Sequence, residues 1–130
     1  MIVDSSVLVA MMLSEPEGRR IEAALKRNPS SCLSAVNHFE ASMVLISRIG
    51  PNAANDLDRL LELFLVRIVP FTDRQARIAR RAFLLYGRGR HAAGLNFGDC
   101  MAYALAKETG EELLFKGTDF GLTDVAVAAY

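Results

Sequence analysis

The chain has no tryptophan, two cysteines and two histidines, and its fifteen basic residues are cancelled by fifteen acidic ones. Each shortage excludes something. Cys32 and Cys100 stand apart in apolar surroundings and lack C-x-x-C spacing, so they read as buried reduced thiols rather than a disulfide or a metal pair. His38 and His91 are equally isolated, which leaves no zinc-binding set. A net charge of zero gives no global sign of a nucleic-acid partner. No GxxxxGK[ST] or GxGxxG stretch is present, so a phosphate-cradling loop has no support. The longest clean apolar run, Val7 to Leu13, falls short of the roughly 20 residues that a membrane crossing needs. The start, MIVDSSVLVAMML, has no basic region and carries an acid at position 4, which argues against a secretory signal. A cytoplasmic protein without a membrane partner is expected.

What is present points to one folded unit. With 130 residues, 52% of them apolar, the chain can bury a sizeable core, and no repeat or linker divides residues 1–130. Short apolar runs at Met1–Val3, Cys32–Ala35, Val66–Val69 and Glu112–Phe115 read as strands, with a last edge strand at Val125–Val127. Between them lie helical patterns. Ser5 or Ser6 is available to cap a helix over Val7–Leu13, and a second helix covers about Glu17–Lys26. Val36–Arg48 ends at Gly50-Pro51, Asn52–Phe64 follows, Thr72 caps a helix to Tyr86, and Asp99–Thr109 is the last helix. Strands alternating with helices predict an α/β fold, a parallel sheet with helices on both faces. Ligands of such sheets bind beyond the carboxyl ends of the strands.

Two acids are expected at that rim: Asp4 ends the first strand, and Asp119 follows the strand at Leu113–Phe115. Glu40 shares a helix side with Val36, Met43, Val44 and Ser47 by the 3.6-residue period, so it points where a core should be. A lone buried carboxylate is costly unless paired, protonated or metal-bound. An ion pair with Arg48 or Arg67 is one answer. Asp99 opens a helix, where capping and the helix dipole both favour an acid. Asp119 and Asp124 each suit a turn. Together, Asp4, Glu40, Asp99 and Asp119 suggest another answer: carboxylates brought to one rim repel, and Mg²⁺ or Mn²⁺ removes that repulsion. Such ions activate water toward phosphodiesters. From Asp73 to His91 there are six arginines and one acid, which suits a solvated helix face or a phosphate-facing patch.

The blocks MIVDSSVLVAMMLSEPE, SAVNHFEASMVL, GRGRHAAGLNFGDCMAYALAK and LLFKGTDFGLTDV, in this order and spacing, resemble PIN-domain proteins, and more closely the VapC-type toxins of bacterial toxin–antitoxin pairs. The resemblance covers essentially the whole chain. It implies a three-layer α/β/α sandwich around a mainly parallel sheet, and a Mg²⁺- or Mn²⁺-dependent endoribonuclease. Asp4, Glu40 and Asp99 match the three acids found throughout the family, and Asp119 matches its more variable fourth. Thr118 and Asp124 fall where the family often keeps polar residues, as candidates to hold a ligand or a water. Ala92 departs from the family, which often has proline after the histidine of this segment. The resemblance also implies an antitoxin lying over the cleft, often with a basic side chain reaching the acids, and a homodimer. Arg88, Arg90, His91 and Lys116 are candidates for holding RNA phosphates. Lys116 suits support of the acid loop equally well, and an ordinary loop histidine is the simpler reading of His91. Two other classes are weaker. A phosphatase using Asp4 as nucleophile commonly wants an acid two positions later, where Ser6 stands. A receiver-like signalling domain needs an acidic pair after the first strand and an aspartate after a middle one. Asp4-Ser5 and Val69-Pro70-Phe71 supply neither.

Overall fold

The computed structural model describes all 130 residues. The short apolar runs pair as one parallel sheet. Its strands are β1 (Ile2–Val3), β2 (Cys32–Ser34), β3 (Arg67–Val69) and β4 (Leu113–Leu114), in the order β3-β2-β1-β4. Ile2 stands opposite Cys32 and Leu113, and Val3 opposite Leu33 and Leu114. Successive side chains point to opposite faces of a sheet, so this register sorts the core into two halves. Ile2, Cys32 and Leu113 pack on Ala79 and Ala82 of α5 (Asp73–Tyr86) and on the apolar run of α6 (Phe97–Thr109). Val3, Leu33 and Leu114 face α1 (Ser5–Met12), α2 (Gly18–Arg27), α3 (Ala35–Ile49) and α4 (Ala53–Leu63). The result is the three-layer α/β/α sandwich.

Several elements differ from their sequence-based bounds. Helix α1 begins at Ser5, because the extended Asp4 caps it by accepting the Ser6 N–H at 2.9 Å; neither Ser5 nor Ser6 is the cap. Helix α6 starts at Phe97, capped by Asn96. The segment after β4 is not all loop: Phe120–Leu122 forms a 3₁₀ turn. The expected strand at Val125–Val127 is a single bridge. Only Leu113 of β4 turns its backbone outward; it donates to Ala126 O at 2.8 Å and accepts from Ala128 N at 3.0 Å. Leu114 O is already taken by the Asp4 N–H at 2.9 Å.

The buried side of α3 is also rotated from expectation. Asn37, Ala41 and Leu45 face the core, whereas Met43 and Ser47 are exposed and Glu40 is half-buried at the shoulder. The cause is Asn37, a polar residue that is fully buried because its amide donates across to α6. Glu40 pairs with neither suggested arginine. Arg48 is exposed, and the Arg67 guanidinium meets Cys32 Sγ at 3.2 Å.

Candidate active site

Beyond the carboxyl ends of β1, β2 and β4, three chain turns meet. At the first, Asp4 leaves the strand and enters α1 directly. Its Oδ2 is held by the Ser6 amide, while Oδ1 is buried with no hydrogen-bond partner. Burial pushes its pKa up to about 6; hydrogen bonding from Ser6 opposes the rise, and the charges of Asp99 and Glu40 add to it.

The second turn is β2 into α3. Ser34 caps this helix, and Glu40 lies beyond its first turn. Glu40 Oε2 accepts from Ser5 Oγ at 2.7 Å and from Asn37 Nδ2 at 3.1 Å. The same Asn37 amide donates to Gly98 O at 3.0 Å, so one buried side chain ties α3 to the start of α6. Gly98 lets α6 approach Glu40 closely: a Cβ there would lie 2.2 Å from each Glu40 carboxylate oxygen, so a larger residue would push that carboxylate aside.

The third turn is the start of α6. Asn96 and Asp99 form a reciprocal capping box: Asp99 Oδ2 accepts the Asn96 N–H at 2.7 Å, and Asn96 Oδ1 accepts the Asp99 N–H at 2.9 Å. Asp99 is thus the third helical residue, not the cap. Burial raises its pKa; the Asn96 amide opposes this, Glu40 and Asp119 raise it further, and Arg88 lowers it. Asp119 is exposed at the entry to the 3₁₀ turn, near enough for its charge to reach Asp99. The four acids are therefore neighbours in charge rather than a closed cage. As placed, no three Asp, Glu, His or Cys side chains are close enough to hold an ion jointly.

The remaining candidates divide. Arg88 is exposed and lies within electrostatic reach of Asp99. Arg90 stacks its guanidinium 5.4 Å from the centre of the Phe83 ring. His91 is a loop histidine whose Nδ1 accepts from the Ala93 N–H at 3.1 Å. Lys116 is engaged elsewhere: its ammonium is bonded to Glu15 and lies 3.9 Å from Glu17, and its backbone N–H donates to Ser6 Oγ at 3.0 Å. That supports the loop after β4 and withdraws the charge from the acids. Asp124 accepts from Tyr103 Oη at 2.6 Å and Lys107 Nζ at 3.1 Å, which commits it to the flank of α6. Thr118 is exposed, and its carbonyl accepts the Gly121 N–H at 3.1 Å. Ser5, Asn37 and Gly98 were not anticipated. Their signals were present in Ser5 following Asp4, an asparagine three residues before Glu40, and a glycine directly before Asp99.

Comparison with known proteins fits this geometry. The PIN domain pattern matches residues 1–126. Ribonuclease VapC30 of Mycobacterium tuberculosis is 43% identical over 129 residues, covering 99% of this chain and 98% of the relative. The chain belongs to the PIN domain family, on its VapC ribonuclease branch. Among solved structures, this PIN domain superposes with a TM-score of 0.80 on Mycobacterium tuberculosis VapC20, described as a sarcin–ricin loop cleaving toxin. That match is 16% identical and covers 98% of this chain and 97% of VapC20. A toxin–antitoxin complex from Klebsiella pneumoniae gives a TM-score of 0.73 at 19% identity, covering 99% and 97%. At these identities the two structures speak for the PIN fold alone.

Proposed function

We propose that this PIN domain is a Mg²⁺- or Mn²⁺-dependent endoribonuclease, the toxin half of a toxin–antitoxin pair. The observation that carries the reading is the orphaned Oδ1 of buried Asp4, set among the charges of Glu40 and Asp99. A buried carboxylate oxygen without a partner is costly, and a hard cation with oxygen ligands is the partner that suits it. The donor set fits: all four acids offer oxygen, and no thiol or imidazole competes. Asp4, Glu40 and Asp99 would hold the ion, with Asp119 joining directly or through water. Small rotations of Glu40 and Asp99, with waters completing the shell, suit an ion that keeps several waters. When bound, the cation supplies Lewis acidity toward water and toward the phosphoryl oxygens.

The chain's own residues supply the rest. Ser5 and Asn37 anchor Oε2 of Glu40, and the capping box anchors Oδ2 of Asp99, which leaves the other oxygen of each to turn toward the ion. One of the carboxylates takes a proton from the attacking water, and the exposure of Asp119 supports that role for it. Water adds to phosphorus as the P–O3′ bond breaks, leaving a 5′-phosphate and a 3′-hydroxyl. Arg88 and Arg90 hold flanking phosphates, which positions RNA without reading its sequence. VapC30 and its kin are named ribonucleases, which supports RNA as the substrate.

An antitoxin that covers the acids follows from the same reading, as does a homodimer. Phe39, Met43, Ile46 and Ile49 form an exposed apolar stripe on α3 that suits a second protein surface. No helix is long and apolar enough to cross a membrane, and both cysteines are free and buried, which suits the cytoplasm. The test is direct. Antitoxin-free protein should cut RNA with Mg²⁺ or Mn²⁺ and stop with EDTA. An Asp4→Asn or Asp99→Asn variant that cuts as fast as the wild type would overturn the metal assignment.

A further inference from the structure

One exposed ring beside the acids has no part in the site described so far. Phe97 is the first residue of α6, two positions before Asp99, and it is 73% exposed. The capping box fixes its backbone on one side, and Gly98, packed under the Glu40 carboxylate, fixes it on the other. The ring is therefore carried on a fixed helix start, two residues from Asp99 and next to the glycine that meets Glu40. It forms one wall of a cavity of about 520 Å³ between α5 and α6. The other walls include Phe71, Phe83, Cys100 and Met101, with Arg80 at the rim. Arg90 sits on the Phe83 ring, and Arg88 lies near Asp99.

We propose that Phe97 stacks on a nucleobase of single-stranded RNA flanking the scissile phosphate, with the aromatic cavity behind it receiving that base. The proposal rests on the ribonuclease reading above. Aromatic faces interleaved with guanidinium groups are the pattern by which proteins hold single-stranded nucleic acid. The charge is complementary too: Arg80 lines the apolar slot, Arg90 sits over Phe83 in its wall, and Arg88 lies near Asp99, so cationic groups stand where the phosphates beside a held base would run. Seven of the eight lining residues are hydrophobic, so the slot offers almost no hydrogen-bonding edge. It grips the face of a base and tolerates its identity. Phe97 thereby sets where the strand sits, and sequence preference comes from elsewhere.

The test uses the full chain, freed of antitoxin, with a short single-stranded oligoribonucleotide cut at one mapped position. Phe97→Ala should raise KM about tenfold and leave kcat within about twofold, and Phe97→Trp should restore KM. In the wild type, an abasic nucleotide at one position beside the cut should weaken kcat/KM by a similar factor. In Phe97→Ala the same abasic nucleotide should weaken kcat/KM by a clearly smaller factor, because the ring that stacks on the base is already gone. A second readout avoids turnover: 2-aminopurine at that position should be quenched by Asp4→Asn protein and not by the Asp4→Asn, Phe97→Ala double variant. Unchanged kcat/KM in Phe97→Ala, with wild type cutting normally, overturns the stacking role alone. The same holds if Phe97→Ala weakens only antitoxin binding, which would make the ring a protein contact. Failure of the wild type itself to cut RNA overturns the ribonuclease reading, and the stacking role with it.

Discussion

Replacing Asp4 with asparagine should stabilise the metal-free protein, and the gain should depend on pH in a defined way. Asp4 is buried, and its pKa rises from 3.8 in the unfolded chain to about 6 in the fold. Between those values the folded state binds more protons than the unfolded state, so stability falls as pH rises through the window and levels off above it. A rise from 3.8 to about 6, at 1.36 kcal/mol per pH unit, corresponds to about 3 kcal/mol. Asparagine caps a helix as well as aspartate does, so the Ser6 amide keeps its acceptor. Loss of the favourable charge at the helix start returns about 0.5 kcal/mol. The net expectation is a gap near zero at pH 4 that grows to about 2.5 kcal/mol in favour of Asp4→Asn at pH 7–8. Urea unfolding of both proteins in EDTA, from pH 4.5 to 8, measures it. A gap that does not change with pH, or a wild type more stable than Asp4→Asn at pH 8, refutes the reasoning. Saturating Mn²⁺ should reverse the order, since an ion at 100 times its Kd adds about 2.7 kcal/mol to the wild type alone.

Three other substitutions separate roles within the site. Gly98→Ala should cost little stability, because the added methyl meets only the far end of the Glu40 side chain; by displacing that carboxylate it should cut RNA cleavage at least about tenfold, read by single-turnover kinetics beside a melting curve. Asn37→Ala removes the donor to Glu40 and the tie to Gly98 O, so denaturation should report a loss of about 1–3 kcal/mol along with reduced cleavage. Lys116→Met should leave the KM for RNA within about twofold, because the ammonium is already held by Glu15; a large rise in steady-state KM would restore Lys116 as a phosphate contact.

The parallel sheet and the helices on both its faces could be argued from periodicity because each strand is a short apolar run between helical patterns, whereas the strand order β3-β2-β1-β4 appears only in the fold. Asp4 and Glu40 drew attention for a related reason: each interrupts an apolar pattern, and such an acid needs an explanation. Asp99 suited a helix start by itself and stood out only beside the other acids and through the resemblance. What stayed hidden depends on contacts far apart in sequence. The rotation of α3 is set by Asn37, which any polarity scale turns outward, until Gly98 O, 61 residues away, appears as its partner. Ser5 and Glu40 are 35 residues apart, and Lys116 and Glu15 are 101 apart. No local pattern encodes such pairs. The six-arginine stretch shows the converse limit. Charge alone could not divide it, yet the structure places Arg77 against Asp73 on a solvated helix face and Arg88 beside the acids.

Asp4 and Asp99 solve one electrostatic problem in the same way, and this separates capping from ligation. Each spends one oxygen on a backbone amide at a helix start, Asp4 on Ser6 and Asp99 on Asn96. The amide and the helix dipole offset part of the repulsion between neighbouring acids. The positions differ, however. Asp4 is the cap itself, where glutamate is a poor substitute, whereas Asp99 is the third helical residue, where glutamate completes a capping box naturally. Asp99→Glu should therefore keep wild-type stability within about 0.5 kcal/mol while shifting the free oxygen by a methylene, enough to cost about a hundredfold in cleavage. Asp4→Glu keeps the buried charge and loses the cap, so it should lose stability, by about 1 kcal/mol or more, as well as activity. Paired denaturation and cleavage assays on the two variants decide the matter. Equal destabilisation by both would mean that the helix starts do not hold these acids in the way the hydrogen bonds imply.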